Sequence, residues 1–138
     1  MKSQLLKISS LFALFAVMIT SSAFTNTHEA PPRWEKLGSR KVQHKLDRDE
    51  ILVTGWEGRF TALRLKVEKS DINLHKVVVY YRKGKPTTLN VRQKVKAGTS
   101  SRVMDLPGNR RIINRVVFWY DTKGYEQKKG RVELWGRH

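Results

Sequence analysis

Cysteine is absent from this 138-residue sequence, and acidic residues are few. Without a thiol the chain has no disulfide, zinc–thiolate site, iron–sulfur cluster, cysteine nucleophile or lipid-modified N-terminal cysteine. Against 28 Lys and Arg there are 12 Asp and Glu, which gives a formal net charge of +16. After residue 23 no apolar run is long enough to span a bilayer. The length fits one domain with one hydrophobic core.

The first 23 residues have the order of a secretory signal peptide. Lys2 and Lys7 supply positive charge, residues 8–19 are mostly apolar, and small residues follow up to Ala23. An apolar helix of that length spans about 18 Å, which is short of the ~30 Å that a membrane anchor needs. Cleavage after Ala23 lowers the formal net charge from +16 to +14 by removing Lys2 and Lys7. The predicted location is the bacterial periplasm or the cell exterior, which suits a small exported chain without cysteine.

The rest of the chain alternates between apolar and polar residues, as half-buried β-strands do. Residues 77–81 and 116–120 are apolar on both faces, which predicts central strands. The eight predicted strands are 37–42, 50–54, 63–67, 77–81, 89–95, 102–106, 116–120 and 131–134. We therefore predict an all-β fold, an antiparallel β-sandwich at 34–138, behind a flexible tether at 24–33 that is rich in Thr, Asn, His and Pro.

A series of motifs lies between Leu37 and Gly136. They are Leu37-Gly38, Asp49-Glu50-Ile51-x-Val53, Gly58-x-Phe60, Val77-x-Val79-x-Tyr81-x-x-Gly84, Asp105-Leu106-x-Gly108-x-x-Arg111-x-Ile113 and Val116-x-Phe118-x-Tyr120. Together these motifs resemble a family of small exported bacterial all-β domains of unknown function. The resemblance implies a β-sandwich behind a signal peptide, and it supplies no activity and no catalytic residue.

The excess of positive charge indicates a partner that carries many negative charges. By their alternation Arg64, Lys66, Arg92 and Lys94 project from the polar side of their strands, and they form one basic face if those strands share a sheet. Anionic envelope polymers and surfaces are the predicted partners: lipopolysaccharide, teichoic acids, anionic lipid headgroups or extracellular DNA. The alternative is that outward Lys and Arg serve solubility and prevent edge-to-edge pairing of sheets.

Aromatic residues offer an alternative, a glycan-binding module. Trp56 lies between Gly55 and Gly58 in a predicted turn with Glu57 beside it, and Trp135 falls on the polar side of its strand. Exposed indole rings in these places would stack on sugars, whereas core or rim packing is the commoner use of Trp. Trp119 has apolar neighbours and is predicted to be a core residue.

The sequence gives little support for catalysis, a metal or a cofactor. No paired-His metal spacing or glycine-flanked nucleophilic Ser occurs, and the acidic cluster at 47–50 lacks the Gly and later Glu of a calcium loop. Asp105 and Arg111 flank the turn at 107–108 and are predicted to form a structural ion pair. We expect a non-catalytic binding module without cofactors. An enzyme remains a second alternative, which requires a cleft that brings His44 or His75 to an Asp or Glu.

Overall fold

A computed structural model describes residues 31–42, 47–122 and 129–138, with the backbone alone described at Asp47. These residues form an all-β fold of eight strands. They are β1 (Trp34–Lys41), β2 (Asp47–Leu52), β3 (Ala62–Glu68), β4 (Ile72–Tyr81), β5 (Thr87–Val95), β6 (Met104–Asp105), β7 (Ile113–Asp121) and β8 (Arg131–Arg137). A short 3-10 turn, Gly55–Glu57, connects β2 to β3. The predicted signal peptide, most of the predicted tether, and His44 lie outside the described residues.

The strands form two antiparallel four-stranded sheets. Sheet A has the order β1-β8-β3-β6, and sheet B has the order β2-β7-β4-β5. The predicted all-β class is therefore confirmed. The two segments predicted as central strands became β4 and β7, which pair with each other in the middle of sheet B.

One hydrophobic cluster receives side chains from both sheets. Leu65 and Leu134 enter it from sheet A, and Val79 and Phe118 enter it from sheet B, all four fully buried. Alternation explains this, since from Leu63 to Glu68 every second residue of β3 is buried while its neighbours are partly exposed. Gly136 is required where sheet A meets this cluster, because a Cβ there would lie 2.6 Å from the Phe60 ring.

The starts of β3 and β7 lie at the same end of the molecule. Phe60, just before β3, pairs in an isolated antiparallel bridge with Arg111, just before β7. Their hydrogen bonds run in both directions, at 2.9 Å and 2.8 Å. The connections at 53–61, 82–86 and 106–112 therefore gather in one place, which we call the loop end.

Candidate anion-binding site

A cavity of about 320 Å³ opens at the loop end. It is lined by Arg59, Arg82, Lys83, Arg110, Arg111 and Ile112. These residues come from three different connections, and two backbone contacts bring the connections together. One is the bridge between Phe60 and Arg111, and the other is the hydrogen bond that Arg82 N–H donates to the Ile112 carbonyl at 2.9 Å. Five cationic residues thus line one concave surface.

Arg111 organises this cavity by tying two turns together. Its Nη1 donates to the Pro107 carbonyl at 2.9 Å, and its Nη2 donates to the Lys83 carbonyl at 2.8 Å. The guanidinium also lies 3.8 Å from the centroid of the Tyr81 ring. Each turn carries a glycine with positive φ, Gly84 at 99° and Gly108 at 86°. A Cβ on either would lie 3.0 Å or less from the Arg111 guanidinium, so the glycines also make room for it.

The other four cations of the cavity are available for a ligand. Arg59, Arg82, Lys83 and Arg110 are exposed. In the part of the chain that the structure describes, no carboxylate forms an ion pair with any of them. Like charges held close together repel one another, and a bound anion relieves that repulsion. Arg in particular binds carboxylate, sulfate or phosphate through two parallel hydrogen bonds.

The predicted ion pair between Asp105 and Arg111 is wrong. Asp105 Oδ1 instead accepts a hydrogen bond from Arg137 Nη2 at 3.1 Å. Asp105 on β6 and Arg137 on β8 both pair with Ala62 of β3, which lies between those two strands. Arg111 does hold the corner at 107–108, but through backbone carbonyls. Spacing along the chain did not reveal this, since Arg137 is far from Asp105 in sequence.

The four predicted basic residues do not form one face, because they belong to different sheets. Arg64 and Lys66 lie on β3 in sheet A, whereas Arg92 and Lys94 lie on β5 in sheet B. Arg64 is half-buried, with its guanidinium 4.2 Å from the centroid of the Trp34 ring. Lys66 lies 3.8 Å from a Glu68 oxygen.

Arg92 and Lys94 line a second cavity of about 590 Å³, on sheet B away from the loop end. This cavity also contains His75, whose Nε2 lies 2.5 Å from Asp121 Oδ2. Asn73 Nδ2 donates to the other oxygen of the same buried carboxylate at 2.7 Å. The pairing of His75 with Asp121 is an arrangement that the enzyme alternative requires. Among the described residues that line the cavity, however, there is no hydroxyl or thiol nucleophile.

The two Trp residues proposed to stack on sugars differ in exposure. Trp56, on the 3-10 turn, is 97% exposed. Trp135 is half-buried, and its Nε1 donates to Glu133 Oε2 at 3.0 Å. Trp119, predicted to be a core residue, is only partly buried, and the ammonium of Lys76 lies 4.2 Å from its ring centroid. Trp56 alone of these three presents an open ring.

An acidic cluster lies beside Trp56 at the loop end. Burial raises the pKa of the Glu57 carboxyl, and the neighbouring Glu35 raises it further. Glu35 forms a hydrogen bond with the ring of His138, which lowers the pKa of that carboxyl below its ordinary value. The His138 ring packs on Phe60, with 4.6 Å between the centroids. The loop end therefore carries two carboxyls, those of Glu35 and Glu57, as well as the cationic cavity.

Within the described ranges, no three or more His, Asp or Glu side chains are placed to hold a metal ion. In the same ranges no helix has the length and apolar character needed to cross a membrane.

The fold and site define a class: an all-β domain of two antiparallel sheets with a cationic cavity at its loop end. The chain belongs to the family described as Domain of unknown function (DUF2541), whose model matches residues 11–136. The predicted resemblance to a family of unknown function is thus confirmed. No curated protein matches the chain.

The solved structures that match this chain include one with low sequence identity. It is described as "Structural and functional characterization of Pseudomonas aeruginosa AlgX", and it has 14% sequence identity and a TM-score of 0.47. The match covers 72% of this chain and 26% of that one, so this chain spans about a quarter of the length of that protein.

Proposed function

We propose that this protein is a non-catalytic binding module for anionic polymers of the cell envelope, which it contacts through the cationic cavity at the loop end. The observation that carries the proposal is the convergence of Arg59, Arg82, Lys83 and Arg110 on one cavity of about 320 Å³. The cavity concentrates positive charge in a concave place, where a ligand meets several cations at once. The anionic group of the ligand is a carboxylate, sulfate or phosphate.

The rigidity of the cavity supports the same proposal. Arg111 fixes the turns that carry Lys83 and Arg110, so a ligand does not have to order those connections when it binds. Each cation that contacts the polymer releases a counterion, and binding therefore weakens as salt rises. A basic surface that served solubility alone would spread its charge and would need no organising residue.

The proposed setting is an exported β-sandwich. Its two sheets pack face to face, which accounts for a single hydrophobic cluster with members from both. Residues 1–23 act as a cleaved signal peptide and deliver the domain to the periplasm or the exterior, where envelope polymers are found.

Salt elution from immobilised heparin, a sulfated polysaccharide, tests the proposal. A variant with Gln at Arg59, Arg82 and Arg110 is compared with a control that has Gln at Lys41, Lys96 and Arg131. The control residues are exposed and lie outside the loop-end cavity, so the same charge is removed elsewhere. We expect the cavity variant to elute at clearly lower salt than the control. The slope of log affinity against log salt should also be smaller by about one for each guanidinium removed from the interface with the polymer. Elution of the two variants at the same salt concentration would rule out the proposed site.

A glycan-binding module is the second candidate, and the 97% exposure of Trp56 favours it. The Glu57 carboxyl beside the ring can bond to sugar hydroxyls. Affinity electrophoresis in gels that contain neutral cell-wall or storage glycans tests this candidate. We expect Trp56→Ala to lose retardation that Trp135→Phe keeps, and a wild-type chain that no glycan retards would rule the candidate out.

A further inference from the structure

We propose that the ligand of the loop-end cavity is a linear acidic polysaccharide that continues along the open face of sheet B into the second cavity. This inference rests on the proposed function and extends it to the shape and length of the ligand. The open face of sheet B is the face opposite the hydrophobic cluster, and it carries Lys76, Tyr80, Arg92, Arg115 and Trp119. Strand β4 runs from one cavity to the other, with Lys76 in the second cavity and Arg82 in the first. These two residues are six positions apart, which corresponds to about 20 Å of extended chain.

The second cavity is also cationic, and its backbone is strained. Arg92 is exposed there and has a φ of 44°, in the left-handed region that residues other than glycine rarely adopt. The irregular pairing of β4 with β5 between Leu74 and Lys76 produces this conformation. A strained backbone that carries a long cation into a cavity is typical of functional positions. The two cavities thus offer two separate groups of positive charge to the same chain of anions.

Between the cavities, the open face presents charge instead of bare rings. The Arg115 guanidinium lies 4.0 Å from the Tyr80 centroid, and the Lys76 ammonium lies 4.2 Å from the Trp119 centroid. Because cations cover both of these rings, bases of a single-stranded nucleic acid have no platform on Tyr80 or Trp119 on which to stack. Glu50 lies 3.6 Å from Arg115 and partly neutralises its charge. Most of the attraction for an anionic polymer therefore comes from the two cavities.

A polysaccharide fits this surface better than a membrane does. Trp56, whose ring is open, lies three residues before Arg59 of the first cavity, so their Cα atoms are at most about 11 Å apart. An acidic sugar chain can place one ring on that indole and its charged groups in the cavity. A lipid surface would require a broader apolar contact than Trp56 and Leu52, the exposed large apolar residues of the β2–β3 region.

Fluorescence polarisation with labelled heparin oligosaccharides of graded length tests the inference. Wild-type affinity should rise roughly tenfold or more once the oligosaccharide exceeds ~20 Å, because the second contact becomes intramolecular. The variant for this test is Arg92→Gly, since glycine accepts the left-handed backbone while the charged side chain is removed. We expect Arg92→Gly to lose most of the gain with length and to bind short oligosaccharides as the wild type does. The matched control Arg131→Ala, an exposed cation on sheet A, should keep the gain with length.

The outcomes separate this inference from the proposed function. Affinity that is independent of length, or equal behaviour of Arg92→Gly and Arg131→Ala, overturns the extended site and leaves the loop-end cavity in place. If tripolyphosphate and short oligosaccharides bind the triple Gln variant of the cavity as well as the wild type, the proposed function itself fails. If the protein binds duplex DNA or phosphatidylglycerol vesicles more tightly than heparin oligosaccharides at the same salt concentration, the choice of a polysaccharide is overturned.

Discussion

The guanidinium of Arg111 lies over the ring of Tyr81, and both residues belong to motifs that resemble the family. Gly84 and Gly108, from the same motifs, flank that guanidinium with positive φ. These motif residues, which are far apart in the chain, therefore form one structural cluster at the loop end. They shape the cavity, and its other cations, Arg59, Arg82, Lys83 and Arg110, lie beside them.

Arg111→Lys should destabilise the fold by about 1–3 kcal/mol. Lysine has one ammonium and cannot bond to two carbonyls in different turns while it lies flat on Tyr81. Urea denaturation followed by circular dichroism measures the difference. Arg110→Lys is the matched control, because Arg110 is exposed and its change should stay within about 0.5 kcal/mol. Similar midpoints for the two variants would show that Arg111 does not tie the turns.

Gly136→Ala should destabilise the protein by about 1–3 kcal/mol through overpacking. The new Cβ would lie 2.6 Å from Phe60 Cδ1 and 2.9 Å from Leu37 Cδ1, within the hydrophobic cluster. Gly55→Ala is the control, since a Cβ there meets nothing within 4 Å. Thermal unfolding of both variants checks the prediction, and an unchanged melting temperature for Gly136→Ala would contradict it.

Glu133→Gln should lower stability by about 1 kcal/mol at neutral pH and by less in acid. Burial by itself raises the pKa of Glu133, but the Trp135 indole and the Lys36 ammonium, 3.3 Å away, hold it below its ordinary value. A lowered pKa in the folded state stabilises above the unfolded pKa of about 4.3. That contribution disappears as the pH falls through the folded pKa.

Melting temperatures of the wild type and Glu133→Gln at pH 7 and pH 3 measure this dependence. The gap between the two proteins should narrow at pH 3. A gap that stays constant across this range would mean that ionisation of Glu133 does not stabilise the fold.

Asp121→Asn should cost about 1–3 kcal/mol, whereas Asp105→Asn should cost less than about 1 kcal/mol. Asp121 is buried and accepts from Asn73, while Asp105 pairs with Arg137 but has a side chain that is 81% exposed. Guanidinium denaturation of both variants measures the two costs. Equal costs would indicate that the carboxylate between Asn73 and His75 is not needed for stability.

Alternation was enough to predict β3, β5 and β8, because one side of each strand is buried and the period of two is local. The partners of a strand are not local, so the sequence did not show that Arg64 and Arg92 belong to different sheets. For the same reason the sequence did not show that Arg59 and Arg110 are neighbours. The signal that points toward the cavity is the pair of glycine turns with Arg111 nearby, and spacing alone favours the wrong partner for it, Asp105.

The nearly complete exposure of Trp56 has an optical consequence. Trp34 and Trp119 lie against cationic side chains, and the Trp135 indole is bonded to Glu133. A neutral water-soluble quencher such as acrylamide should therefore reach the indole on the 3-10 turn far more readily than these other rings. Trp56 is therefore an intrinsic fluorescent probe of the loop end, and its emission can be followed without attaching a dye.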